Sequence, residues 1–408
     1  MTEIDSLSMT LDSGLRIAIR QTKPTGLAGV CVSAGVGYRD DPSGAAGAVH
    51  LVEHLALEPL SDGCGHVRSV EQLGGRTGAE TFEDITELHT LVPAQSLEVA
   101  LHREFRRLSE PPIDTQSIAR ARRVVVAEIR AHLPLRPHRF FPWTVLPAAM
   151  YSDEAHGHNG YGDEHTLGAI SEEVCTAVWR RGYRPESTVV AVVSDRPCSD
   201  VAALVAKAAR DNGDKSPADL STGKRAEPQR RPFDPHAVIA AGTVAAVGFE
   251  LPRAEADWDV RKEMSALLGR RIAELGQDRG EGLHVRRGRF SYFESPPVAG
   301  PDVCWLTFDV AEKTTTGRLH EHSTALLDAV AAGTTDTLIS WAAVSSKTAA
   351  ALACTDPSVA ARAVTRRVRL GAEPTPSDDG SVLSTTDART IFAQAGAAPV
   401  GVVAMAAA

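Results

Sequence analysis

His50-Leu51-Val52-Glu53-His54 is the stretch on which the interpretation of this sequence depends. Two histidines four residues apart lie one above the other on a helix, so both imidazoles can reach one zinc ion. Glu53 projects close to the same helix face, where its carboxylate can take a proton from a metal-bound water. This order of residues is the inverted zincin pattern, H-x-x-E-H. The stretch therefore predicts a helical zinc site with Glu53 as the catalytic base.

A third zinc ligand is needed, because a catalytic zinc ion usually has three protein ligands and one open position for water. Glu128 is the candidate. It lies in a predicted helix over residues 116–132, whose apolar stripe includes Val124, Val125 and Ile129. From the residues alone, two plainer explanations stay open. Most helix glutamates are solvated, and a chain with 14 histidines can contain H-x-x-E-H by chance.

Length and composition describe a globular protein of two domains. The chain has 408 residues, of which 43% are hydrophobic, and a net charge of -9. An acidic protein is not expected to bind nucleic acid, and no apolar run is long enough to suggest a membrane span. The first residues lack the pattern of a secretory signal. The six scattered cysteines include no C-x-x-C pair and are typical of reduced thiols. We therefore expect a cytoplasmic protein that interacts with neither nucleic acid nor membrane.

The pattern of apolar residues predicts two successive α+β domains. Strands are predicted in the first half near residues 15–19, 26–35 and 188–193, and two short strands are predicted within 77–92. Helices are predicted there near residues 45–55, 96–108, 116–132, 171–183 and 200–210. The second half repeats this order, with strands near 236–251, 303–310 and 399–405 and helices near 257–275 and 319–331. The predicted domains are 1–210, which carries the zinc motif, and 235–408, joined by a polar linker at 211–234.

Several short sequence segments around the motif form a characteristic pattern along the chain. They are Leu11-Asp12-Ser13-Gly14-Leu15-Arg16, Gly47-Ala48-Val49 before the motif, Leu73-Gly74-Gly75 followed by Gly78-Ala79, Thr81, Asp84 and Thr86, the segment Val125 to Ile129, and His156-Gly157 to Ile170 followed by Tyr183-Arg184-Pro185. Together they resemble the N-terminal half of pitrilysin-type (insulinase-like) metallopeptidases. Glu128 occupies the place of the distal zinc glutamate of that family, at close to the usual distance from His54.

The resemblance implies a fold and a mode of action. Each half of such a chain is an α+β domain, a mixed or antiparallel sheet with helices packed on it, and the half-size chain is one half of a clamshell. The implied activity is endopeptidase cleavage of unfolded peptides, with His50, His54 and Glu128 holding Zn²⁺ and Glu53 as base. Active members consist of two half-size chains, as a homodimer or heterodimer, or of one fused double-length chain. Some bacterial members trim the leader from a ribosomally made peptide.

Three positions depart from the family pattern. Gly78, which precedes Ala79 at the implied peptide-binding sheet edge, stands where the family usually has asparagine. Ala121 stands where a second acidic residue usually supports the metal site. In the second half, Arg279 and His284 resemble the place of an arginine and a tyrosine that hold the substrate. An intact metal motif beside an altered substrate pair suggests that a related subunit supplies the missing pair.

Two other functions are consistent with the sequence. One is a non-catalytic structural subunit of a pitrilysin-type complex, which the changes at Gly78, Ala121 and His284 would favour. The other is a module that binds extended peptides without cutting them.

Four further histidines and two arginine runs suggest no further site. The histidines of the glycine-rich loop, His156 and His158, are expected to be solvated, and His320 and His322 would face apart on a helix. The arginine runs at 120–123 and 366–369 are expected on helix surfaces rather than against nucleic acid.

Overall fold

The architecture comes from a computed structural model that describes residues 5–60, 63, 65–132, 141–213, 227–251, 258–275, 282–293, 299–374 and 383–406. The strands, in chain order, are β1 (Ser6–Thr10), β2 (Arg16–Gln21), β3 (Leu27–Ala34), β4 (Arg76–Thr81), β5 (Thr86–Pro93), β6 (Val189–Ser194), β7 (Val238–Ile239), β8 (Thr243–Leu251), β9 (Leu283–Phe290), β10 (Asp302–Val310), β11 (Thr314–Thr315) and β12 (Val400–Ala406). The α-helices are α1 (Ala48–Leu57), α2 (His66–Glu71), α3 (Leu97–Ser109), α4 (Thr115–His132), α5 (Leu146–Met150), α6 (Glu164–Ala169), α7 (Glu172–Gly182), α8 (Cys198–Asp211), α9 (Trp258–Leu275), α10 (Thr316–Ala332), α11 (Asp336–Ala353), α12 (Pro357–Arg369) and α13 (Thr385–Gly396).

A six-stranded sheet with the order β1-β2-β6-β3-β5-β4 forms the centre of the first compact unit. The strand β6 is buried along its whole length, as expected for its β-branched sequence. It pairs parallel with β2, whereas the other neighbouring strands of the sheet are antiparallel. This order places β4 at one edge of the sheet, beside β5.

Helix α12 also packs on this sheet, although it lies late in the chain. Its residues Ala360 and Val364 belong to a buried cluster that includes Cys31 of β3. Gly29 makes the close approach possible, because a Cβ atom there would lie 2.2 Å from the carbonyl carbon of Pro357. The first unit consequently comprises Met1–Glu128, Gly160–Ala226 and Ala351–Ser377.

The second unit comprises Ile129–Asn159, Glu227–Ala350 and Asp378–Ala408. Its main sheet is antiparallel and has the order β12-β8-β10-β9, and β7 pairs with β11 separately. Helices α9, α10 and α13 line its core, which includes Phe249, Leu268, Phe308, Leu327 and Phe392. Both units thus combine a sheet with packed helices, as the α+β prediction requires.

The two units differ from the sequence-based division in two places. Residues 129–159 cluster with the second unit and residues 351–377 with the first. The second difference follows from the packing of α12 on the sheet of the first unit, which no change of composition in the sequence indicates. The linker at 211–234 stays a prediction, since residues 214–226 lie outside the described residues.

Most predicted strands and helices are confirmed within a few residues, but three side-chain placements are wrong. Val124 is 52% exposed and does not belong to the apolar stripe of α4. His156 is buried rather than solvated, and its Nδ1 lies 2.7 Å from Oδ1 of Asp153. Arg366 is buried and paired with Glu87 instead of lying on a helix surface. Among the described helices, none has the length and apolar composition needed to cross a membrane.

Candidate metal centre

Helix α1 carries the motif, and its start is fixed by two neighbouring residues. Gly47, immediately before the helix, has a φ angle of 90°, a left-handed conformation that favours glycine. The Asp41 carboxylate accepts hydrogen bonds from the backbone N–H groups of Gly47 and Val49, at 2.6 and 2.8 Å. These contacts satisfy donors that the first helical turn would otherwise leave unpaired. The position and rotation of the motif helix are therefore defined at its N-terminus.

Three side-chain atoms converge at the candidate metal position. His50 Nε2 and His54 Nε2 lie 3.2 Å apart. Glu128 Oε2 lies 3.7 Å from His50 Nε2 and 3.3 Å from His54 Nε2. Ligand atoms placed tetrahedrally around zinc, at bond lengths of roughly 2.0–2.1 Å, are about 3.4 Å from one another. Two imidazole nitrogens and a carboxylate oxygen at these separations fit a zinc ion, and they are the three residues that the sequence analysis selected.

Glu53 lies beside this group and is buried, with only 5% of its surface exposed. Its Oε2 accepts a hydrogen bond from Oγ1 of Thr81 at 2.5 Å. Burial raises the pKa of Glu53 to about 7, although the charge of His54 and the Thr81 hydrogen bond oppose the shift. Potential ligand atoms of His50, Glu53 and His54 all lie within 4.8 Å of one another. A carboxyl group that titrates near neutrality can accept a proton and return it.

The pKa values of the two histidines shift in opposite directions, and this shift affects how easily each can bind a metal. Burial, and then the charge of His54, lower the pKa of His50 to about 4, so its imidazole is neutral at pH 7. Burial acts in the same direction on His54, but the hydrogen bond with Glu128 and the charge of Glu53 outweigh it and raise the pKa of His54. Neutral imidazole is the metal-binding form. Metal binding at this site therefore competes with a proton at His54 more than at His50.

Residues that the sequence analysis did not select also support the motif helix. The ring of Tyr161 meets the ring of His50 edge-on, with centroids 5.2 Å apart. Arg107 donates a hydrogen bond to the carbonyl oxygen of Ala56, close to the end of α1, and forms a buried ion pair with Glu104. A cation is favourable there because the C-terminus of a helix carries partial negative charge. No local sequence pattern indicates Tyr161 or Arg107, whereas the Asp-Pro-Ser-Gly turn before α1 is a signal for the Asp41 cap.

The edge strand β4 runs past the motif. Within the described residues it pairs only with β5, so its outer side has no strand neighbour there. Thr81 faces Glu53, and because side chains alternate along a strand, Ala79 shares that face whereas Gly78 points the other way. A Cβ atom at Gly78 would lie only 2.8 Å from Nε2 of His89 on β5. Glycine at this position therefore leaves room for the histidine ring.

The other positions singled out from the sequence lie on α4, in the second unit or outside the described residues. Ala121 is buried in α4, and its methyl side chain offers no carboxylate to the metal site. His284 lies exposed on β9 of the second unit. Arg279 falls outside the described residues. The structure thus brings together the motif, Glu128 and the strand β4 within the first unit.

A buried carboxylate beside two imidazoles and a second carboxylate is a donor arrangement of zinc hydrolases. Residues 16–157 match the family Insulinase (Peptidase family M16). This stretch contains the motif helix, the strand β4 and Glu128. The resemblance of this part of the chain to pitrilysin-type (insulinase-like) peptidases is therefore confirmed.

Curated relatives match part of the chain. Coenzyme PQQ synthesis protein F of Pseudomonas putida is 31% identical over 147 residues, which are 35% of this chain and 18% of the relative. An uncharacterized zinc protease of Mycobacterium leprae is 28% identical over 198 residues, 48% of this chain and 44% of the relative. The matched part thus spans less than half the length of these curated relatives.

Solved structures match almost the whole chain. A protease from Helicobacter pylori superposes with a TM-score of 0.77 at 17% identity, over 98% of this chain and 99% of that one. A peptidase M16 inactive domain from Pseudomonas fluorescens superposes with a TM-score of 0.70 at 15% identity, over 98% and 97%. At such identities the likeness concerns the fold alone, and it confirms the α+β class predicted from the sequence.

Proposed function

We propose that this chain is a zinc-dependent endopeptidase subunit that cleaves extended, unfolded peptides. The observation that carries the proposal is the convergence of His50, His54 and Glu128, whose ligand atoms are 3.2–3.7 Å apart, beside the buried carboxylate of Glu53. A chance motif on a solvated helix surface would not be expected to gather a distant glutamate and a second, buried carboxylate around its histidines. The uncharacterized zinc proteases among the relatives support the same metal.

In the proposed mechanism His50, His54 and Glu128 hold the metal. When bound, zinc lowers the pKa of water and polarises the carbonyl of the scissile peptide. Glu53 accepts a proton from the attacking water and returns it to the nitrogen of the leaving amine, so its own protonation is unchanged over the cycle. Thr81 keeps the Glu53 carboxylate oriented through its hydrogen bond.

Extended peptides are the proposed substrates because β4 offers a sheet edge next to the motif. A peptide that adds to β4 as a further strand is bound through backbone hydrogen bonds. Ala79 and Thr81 then lie on the face of β4 that is turned towards Glu53. A folded protein would have to unfold locally to supply such a strand. The resemblance to subunits that trim leader peptides makes a peptide leader a candidate within this class.

A related half-size chain, in a heterodimer or a homodimer, is the proposed partner. His284 stands where the family resemblance implies a substrate-holding tyrosine, and it is exposed on β9. A second chain that carries the usual arginine and tyrosine would complete the pair. The solved protease from Helicobacter pylori is matched over 99% of its length by 98% of this chain, so the two chains have nearly the same extent.

A non-catalytic subunit is the second candidate function. It is favoured by Ala121, which stands where the family resemblance implies a supporting carboxylate for the metal site. In that case the chain would bind a peptide or a catalytic partner without cleaving anything.

Peptide cleavage separates these candidates. Zinc-loaded wild type, Glu53→Gln and the control Glu71→Gln, which alters an exposed glutamate at the end of α2, are incubated with unstructured peptides and analysed by mass spectrometry. The endopeptidase proposal expects cleavage by wild type and control, and none by Glu53→Gln although it retains zinc. An absence of cleavage by zinc-loaded wild type, both alone and with a related half-size subunit, would support the non-catalytic candidate.

A further inference from the structure

The strand β4 is held on its second face by helix α12. Glu80 forms an ion pair with Arg362 of α12, and Arg76 forms one with Asp356, the residue that caps the same helix. Arg76 and Glu80 are separated from Thr81 by an odd number of positions. Because side chains alternate along a strand, both therefore lie on the face opposite Thr81. The edge strand is thus contacted by the motif helix on one face and by α12 on the other.

Two glutamates face each other across the β4–β5 ladder. Glu80 of β4 is the direct partner of Glu87 on β5. The Glu87 side chain has no exposed surface, whereas that of Glu80 is 48% exposed. Like charges directly opposite each other destabilise a strand pair. Without a cation close to both carboxylates, this pair would therefore favour separation of β4 from the sheet.

Arg362 is the cation that contacts both glutamates. Its Nε donates to Oε2 of Glu87 at 2.8 Å, and its Nη2 donates to Oε2 of Glu80. Arg366 contacts Glu87 as well, through Nε at 2.5 Å and Nη2 at 2.7 Å. Loss of Arg362 would thus leave Glu87 paired with Arg366, but it would leave Glu80 facing a carboxylate without a bridge.

We propose that Arg362 is a positioning residue for the peptide-binding edge: it bridges Glu80 and Glu87 and so holds β4 where Thr81 reaches Glu53. Helix α12, more than 200 residues downstream of the motif, would thereby keep β4, the strand that receives the peptide, in an ordered conformation. The part of the inference that concerns peptide binding rests on the proposed function, while the effect on β4 does not. Since a bound peptide restores order to the strand, removal of the bridge should weaken peptide binding more than turnover.

The experiment compares four variants with wild type in the full chain. Arg362→Ala removes the bridge, Arg362→Lys keeps a cation, and Arg362→Ala with Glu80→Gln removes the repulsion along with the bridge. Arg367→Ala is the matched control, because Arg367 lies on the same helix but its Nε donates to the carbonyl oxygen of Glu373. Amide hydrogen exchange of residues 76–81, zinc content, KM and kcat are measured for each protein.

We expect Arg362→Ala to accelerate amide exchange in β4 and to raise KM by about two- to fivefold, the range for one partly exposed ion pair. Zinc content and kcat should stay near wild type. Arg362→Lys and the double variant should recover part of the difference, and Arg367→Ala should match wild type.

Two results would overturn the proposal. One is unchanged exchange of β4 in Arg362→Ala. The other is an acceleration spread over the whole first unit, together with parallel losses of zinc and kcat, which would indicate general destabilisation. If wild type cleaves no peptide, the proposed peptidase function is wrong. The amide exchange data still decide independently whether Arg362 positions β4.

Discussion

Thr81 on the edge strand β4 donates a hydrogen bond to Glu53 on the motif helix, with 2.5 Å between Oγ1 and Oε2. This contact joins the strand proposed to receive a peptide to the carboxylate proposed to act on it. Glu53 is otherwise buried among the motif residues, so the hydroxyl group is a specific constraint on its orientation. In the chain without a bound peptide, a displacement of β4 would therefore alter the surroundings of the Glu53 carboxylate directly.

Thr81→Val should lower kcat by about ten- to a hundredfold, the range for loss of a hydrogen bond that orients a metal-site residue. Valine has nearly the same shape, so zinc content should not change. Steady-state kinetics and elemental analysis measure the two quantities. Thr81→Ser, which keeps a hydroxyl group, serves as the control and should stay near wild type. Wild-type turnover in Thr81→Val would show that this contact does not orient Glu53.

Glu128→Ala should weaken zinc binding by at least about a hundredfold, because it removes one of three ligands, a larger loss than that of an outer hydrogen-bond partner. Competition with a chromophoric chelator measures the affinity. Glu71→Ala, at an exposed position on α2, controls for the loss of a glutamate from the same unit. Equal affinity in Glu128→Ala and wild type would remove Glu128 from the ligand set.

Glu87→Gln should reduce the free energy of unfolding by about 3 kcal/mol at neutral pH, since it leaves two arginines beside an uncharged partner in the core. Burial by itself would raise the pKa of Glu87, but the charges and hydrogen bonds of Arg366 and Arg362 outweigh it and lower the pKa below the usual 4.5. The stabilisation is therefore fully present above pH 4.5 and is lost as the pH falls through the lowered pKa.

Urea unfolding of wild type and Glu87→Gln over a pH series measures this dependence. The difference between the two proteins should be constant near neutrality and should shrink in acid. A difference that persists unchanged well below pH 4, or none at neutral pH, would contradict a stabilising ionised Glu87.

Zinc should stabilise the folded chain, because a ligand that binds only the native state shifts the unfolding equilibrium. At a free zinc concentration a hundred times the Kd, the gain is about 2.7 kcal/mol. Thermal unfolding followed by circular dichroism should show a higher Tm with zinc, which a chelator reverses. His50→Ala should show no such rise. The same zinc-dependent rise in His50→Ala would place the ion at another site.

The locally encoded parts of the fold and site could be predicted from the sequence. The spacing of His50 and His54 fixes their common helix face, and the β-branched run of β6 indicates a buried strand. Glu128 is different: its helix pattern makes it a candidate but does not distinguish it from a solvated glutamate, and the family resemblance supplied the stronger indication.

The features that escaped prediction depend on contacts between distant residues or on a local sequence without a clear pattern. Arg366 has the sequence context of a surface charge, and its partner Glu87 lies 279 positions away. The strand β9 was missed because Arg286, Arg287 and Gly288 interrupt any alternation of apolar residues. The surroundings of Gly78 likewise follow only from the structure, where a Cβ atom at this position would lie 2.8 Å from Nε2 of His89 on the neighbouring strand.

The central claim is that His50, His54 and Glu128 form a zinc site, and zinc content per chain tests it most directly. Wild type and His54→Ala are purified without added metal and compared by elemental analysis. The account predicts about one zinc ion per wild-type chain and close to none in the variant. Equal zinc in both proteins, or no zinc in wild type even after zinc is supplied, would contradict it.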